Sequence, residues 1–194
     1  MNNKQFNRIY SLIVGTKEDA IEINNLHIKF DVLKTSSNKD KKNSAQVEIY
    51  NLSADRRKAL EQPYVQVRLQ VGYAPTGLVT LFTGQVINIS TSGITPYLTA
   101  RRGADLVTRL DIDEFYTELN AKSVGRIVPE GRKVKDVIEE VVKSMEGVVP
   151  TRMNGNNINT TLPDGYPASG SPRQVLDALS KEYEIDWQID DSVL

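Results

Sequence analysis

Between Leu26 and Ser53 the chain reads as two amphipathic strands joined by a long charged connection, and few folds accommodate that arrangement. In the first strand Leu26, Ile28, Phe30 and Val32 alternate with His27, Lys29 and Asp31, so one face seeks a core while the other stays in water. The second repeats the pattern, with Ala45, Val47 and Ile49 alternating with Gln46, Glu48 and Tyr50. The connection from Lys34 to Asn43 (KTSSNKDKKN) has no apolar residue and is expected to be solvated loop. Ser53 then reads as a helix N-cap, with Asp55 at the positive end of the dipole and Gln62-Pro63 stopping the helix within about two turns.

More strands surround this hairpin. Arg8 to Val14 is a short strand candidate, and Ala20 to Ile23 leads into the hairpin after a turn. Val65, Val67, Leu69 and Val71 share one face, with Gln66, Arg68 and Gln70 on the other. Gly72 to Gly77 is a turn, and the chain returns from Leu78 to Ser90 with Gly84 marking a bulge or bend. Tyr97 to Arg101 adds another strand, giving about six by Arg102.

The texture changes near Leu110. Val134, Val137, Ile138, Val141, Val142 and Met145 fall on one helical stripe, and Lys135/Glu139 and Glu139/Lys143 are placed to pair one turn apart. Five of those six apolar residues are β-branched, so packing rather than propensity must hold this helix. Thr151 to Gly170 is expected to be polar loop. Ser171, Pro172 and Gln174 form a helix-start signature, with Val175, Leu176, Leu179 and Tyr183 on the buried side. From Glu184 to Ile189 a strand is expected, with a turn at Asp190-Asp191-Ser192; its missing partner suggests a fragment of a longer protein.

Composition removes whole classes of chemistry. The chain has no cysteine, hence no disulfide, thiolate metal site or cysteine nucleophile. Lysine plus arginine (24) balance aspartate plus glutamate (25), giving no global field toward nucleic acid or an anionic membrane, and no apolar run approaches a membrane span. His27, the single histidine, lies on a polar strand face. Asp111, Asp113 and Glu114 are spaced to put two carboxylates on one strand face but lack the oxygen-rich loop of a calcium site, so a solvated edge is the better reading. No Gly-x-Ser-x-Gly elbow, phosphate cradle or dinucleotide fingerprint is present. We therefore assign no catalytic, cofactor-binding or metal-ligating residue.

The succession LHIKFDVLK, charged loop, AQVEIYNLS, short basic helix, VQVRLQVGY, turn and LFTGQVINI resembles the opening of baseplate-hub and tail-tube-like proteins of contractile-tailed phages and prophages. The segments around Lys133 to Met145 and Ser171 to Leu179, running into Ile185-Asp186-Trp187, resemble the helical part that succeeds the first barrel in such hubs. The resemblance implies an α+β chain: an antiparallel β-barrel tube module over residues 1–110, then an α+β segment with two helices over 111–194. It implies a non-enzymatic virion tail component, assembled in the host cytoplasm as a homo-oligomeric trimeric ring, with a tail-tube protein above and a spike below. The candidate interface is the charged loop, through Lys34, Asn38, Lys39, Asp40, Lys41 and Lys42, which either orders on a neighbouring subunit or is an ordinary surface loop. A tail-associated hydrolase with its catalytic part elsewhere and a ligand-binding β-barrel are the competing functions.

Overall fold

The computed structural model describes residues 7–16, 19–34, 43–62, 65–94, 105–120, 122–150 and 153–189. The chain divides into two compact units, one ending at Glu114 and the other comprising Phe115 onward together with Asn43.

The first unit is a seven-stranded sheet built from β1 (Arg8–Gly15), β2 (Ala20–Ile23), β3 (Ile28–Leu33), β4 (Ser44–Tyr50), β5 (Gln66–Tyr73), β6 (Gly77–Ile94) and β7 (Asp105–Asp113). Its order is β2-β1-β5-β6-β7-β4-β3, and every neighbouring pair is antiparallel. The alternation read from the sequence becomes the pleat: Leu12, Val14, Val47, Ile49, Val67, Leu69, Phe82, Leu110 and Ile112 are buried in one cluster. A short helix, α1 (Ala54–Leu60), adds Leu60 to that core, and its N-terminus is capped by Ser53 Oγ, which accepts the Arg56 N–H at 3.4 Å.

The α+β class holds, but the expected barrel does not. The sheet ends at β2 and β3, with no ladder joining them among the described residues. It is nevertheless curled. Laid flat, the six inter-strand steps between these edges would cover roughly 29 Å, whereas the link from Ile23 to Ile28 reaches at most about 17 Å. β2 is four residues long and bonds to β1 alone, so nothing among the described residues carries the ladder on to β3. As an edge strand, β3 also leaves Phe30, expected in the core, 38% exposed, while Leu26, Ile28 and Val32 are only partly buried.

Curvature is concentrated in β6. Its pairing shifts register opposite Leu69/Gln70 and again between Val86 and Asn88, leaving Leu81 and Ile87 as extra residues. Gly84 lies between the two bulges rather than at one. A Cβ there would come within 2.7 Å of the Asp113 carbonyl oxygen and 2.8 Å of Ile112 Cγ2, so the glycine marks the close approach of β7.

The second unit holds a two-stranded ribbon, β8 (Val124–Val128) with β9 (Tyr166–Gly170), and helices α2 (Tyr116–Asn120), α3 (Val134–Lys143) and α4 (Pro172–Tyr183). The β-branched stripe of α3 packs in one core with Val175, Leu176 and Leu179 of α4. Asp136 accepts the Lys133 N–H at 2.9 Å at the start of α3, and Ser171 and Gln174 exchange hydrogen bonds of 3.3 and 2.9 Å at the start of α4.

Three local expectations change here. The stretch from Thr151 to Gly170 includes a 3-10 turn (Asn157–Asn159) and β9; the latter was illegible because only Ala168 of its five residues is buried. Lys143 pairs with Glu140, at 2.6 Å, one residue from the partner expected. Ile185 to Ile189 follows the expected alternation of burial as far as Trp187, with Gln188 half-buried as well, and forms no strand, since nothing among the described residues pairs with it. The candidate strand Tyr97 to Arg101 and the turn at 190–192 lie outside the described residues.

Candidate functional site

The outward face of β6, β7, β4 and β3 carries a connected polar network. Antiparallel register sets Gln46 and Asn88 on either side of Asp111, and Arg109 beside Glu48, which in turn faces Lys29. Gln46 Nε2 and Asn88 Nδ2 each donate to the Asp111 carboxylate at 2.9 Å. Arg109 donates to Gln46 Oε1 and lies 3.5 Å from Glu48 Oε1, while Lys29 Nζ is 3.7 Å from Glu48 Oε2. These amide bonds, first that from Asn88 and then that from Gln46, hold the Asp111 carboxyl below the usual carboxylate range against the opposing effect of partial burial. The network is a cross-strand brace, with half-exposed pairs of modest individual worth.

Beside the brace lies a shallow groove of about 430 Å³ lined by Asp31, Leu33, Gln46, Ile87, Asp111 and Asp113. Its rim is partly apolar, with Leu33 49% and Ile87 43% exposed. The expected alternation does put Asp111 and Asp113 on one strand face, but Asp111 is committed to the two amides and Asp113 is buried. Among the described residues no three histidine, cysteine, aspartate or glutamate side chains gather as a metal set. His27 is exposed and sits edge-on to Tyr50 at 4.8 Å between ring centroids.

Of the candidate loop residues, Lys34 is exposed at the end of β3, and Asn38, Lys39, Asp40, Lys41 and Lys42 lie outside the described residues. Asn43 departs from the solvated-loop reading. It is buried, and its Nδ2 donates to the Ile189 carbonyl at 3.1 Å. Sequence reasoning had no role for Gln46, Asn88, Arg109 and Glu48. The signal was present for Gln46 and Glu48, as polar positions alternating along β4, but which of their neighbours they meet depends on strand order.

No protein-family model and no curated protein sequence matches the chain. Solved structures do. The tail protein from Neisseria meningitidis MC58 superposes with a TM-score of 0.54 and 14% identity, over 95% of this chain and 49% of that one. The 43 kDa tail protein of prophage MuSo2 from Shewanella oneidensis gives 0.59 and 12%, over 94% of this chain and 50% of that one. The fold is shared with tail proteins. The chain spans about half the length of these structures, and at such identity the likeness is one of fold alone. No helix among the described residues is long and apolar enough to cross a membrane.

Proposed function

We propose that this chain is a structural component of a phage or prophage tail, working by assembly rather than catalysis, as a baseplate-hub ring that joins the tail tube to the spike. The observation that carries the reading is the fold shared with two tail proteins over 95% and 94% of the chain. The surface supports it. A sheet with two unpaired edges among the described residues, β2 and β3, offers backbone groups to a neighbour, and apolar side chains beside them, such as Phe30 and Leu33, gain from being covered. The polar brace ties the outer face together across four strands and orders it for a repeating subunit contact. The tail-tube protein above, the spike below and a trimeric ring belong to this proposal. Sedimentation velocity of the protein alone and with co-expressed tube and spike proteins tests it: a closed trimer that captures both is expected, and a monomer that binds neither at high concentration refutes it.

A further inference from the structure

The segment after α4 belongs to no helix or sheet among the described residues. Glu184 ends the helix in the left-handed region at φ 51°, which turns the backbone out of the helix. Ile185, Trp187 and Ile189 then face the core of the second unit while Asp186 stays exposed, the period of a strand. Yet residues 186–188 take part in no backbone hydrogen bond among the described residues. This bare stretch forms one wall of a groove of about 690 Å³, within the roughly 300–1,000 Å³ of ligand pockets. The opposite wall includes Asn154, Asn156 and Asn157, exposed amides that hold no side-chain bond among the described residues.

We infer that this groove accepts an extended peptide strand carrying alternate lysine or arginine side chains, which pairs by backbone hydrogen bonds with residues 186–188. The backbone sets the conformation of the occupant, because a row of free N–H and C=O groups in a strand-like segment is satisfied by another strand. The lining sets its charge: Glu184 and Asp186 contribute carboxylates, and no cationic side chain among the described residues lines the groove. Cross-strand neighbours share a face, so cations in the occupant fall beside Asp186 while the intervening apolar residues fall beside Ile185 and Trp187. The free asparagine amides suit the far edge of the inserted strand. This inference does not rest on the tail reading, since backbone pairing and charge define the partner.

Trp187 is the only tryptophan and lines the groove, so its emission reports occupancy directly. The test titrates the whole chain with an acetylated heptapeptide alternating lysine and valine, its fully N-methylated counterpart, and a glutamate/valine version, with hydrogen exchange followed in parallel. A saturable change in Trp187 emission with the lysine peptide is expected, together with slowed exchange of amides in 186–188. The N-methylated and glutamate peptides should not bind. Asp186→Lys, at an exposed position that leaves the fold intact, should weaken the lysine peptide roughly fivefold and admit the glutamate one. No saturable change with the lysine peptide, or equal binding of its N-methylated form, overturns the inference.

Discussion

Replacing Gly84 by alanine probes the curvature of the sheet more sharply than any core truncation. The added methyl would sit 2.7 Å from the Asp113 carbonyl oxygen, 2.8 Å from Ile112 Cγ2 and 2.9 Å from Phe82 Cε1. Ile112 and Phe82 are 1% and 2% exposed, so neither side chain has room to swing away, and the carbonyl belongs to the interior strand β7. Overpacking of this kind costs typically ~1–3 kcal/mol, and relief here needs a backbone shift, which places the cost at about 3 kcal/mol. Alanine also narrows the unfolded ensemble, which returns less than about 1 kcal/mol. The net loss is about 2 kcal/mol, or roughly 4–8 °C in melting temperature. Gly125→Ala is the control: nothing lies within 4 Å of its Cβ, so its melting should match the parent or rise slightly. Calorimetry with far-UV circular dichroism measures both. A Gly84→Ala protein melting within about a degree of the parent would refute the close approach of β6 and β7.

Three further outcomes are expected. Val47→Asp or Val67→Asp should abolish folding of the first unit, since these sites are 0% and 1% exposed and an unpaired carboxylate there costs several kcal/mol, whereas Gln66→Asp on the opposite face should be nearly silent by urea titration. Thr108 is fully buried and its hydroxyl has no partner among the described residues, so Thr108→Val should stabilise by about 1 kcal/mol and raise the melting temperature by roughly 2–4 °C. Asp111 binds its proton less tightly when folded than when unfolded; its stabilising contribution is complete above the unfolded carboxylate pKa and is lost as pH falls through the lower folded value. Asp111→Asn should therefore be less stable than the parent at neutral pH, with the difference shrinking under acid when urea midpoints are compared.

The faces of β4 and β5, the Ser53 and Ser171 caps and the buried stripe of α3 were legible because each depends on spacing within one segment. Closure was not legible. Whether β2 and β3 meet is decided by the number of residues each offers and by curvature from bulges at Leu81 and Ile87, neither of which has a sequence mark of its own. Phe30 misled for the same reason: alternation says which face a residue takes, not whether anything covers that face. The brace around Asp111 was hidden because it joins residues from β4, β6 and β7, and only strand order brings Gln46 and Asn88 to one carboxylate. At Glu184 to Ile189 the apolar spacing alone does not make a strand, which requires a partner outside the segment.

The proposed place of the chain in a tail can be seen in the particle itself. Immunogold labelling of intact particles, released from the bacterium encoding it and probed with antibody against the purified chain, tests this most directly. Gold is expected at the baseplate end of the tail, in line with the tube and above the spike. Particles whose tails carry no label while the protein remains in the unassembled soluble fraction would contradict it.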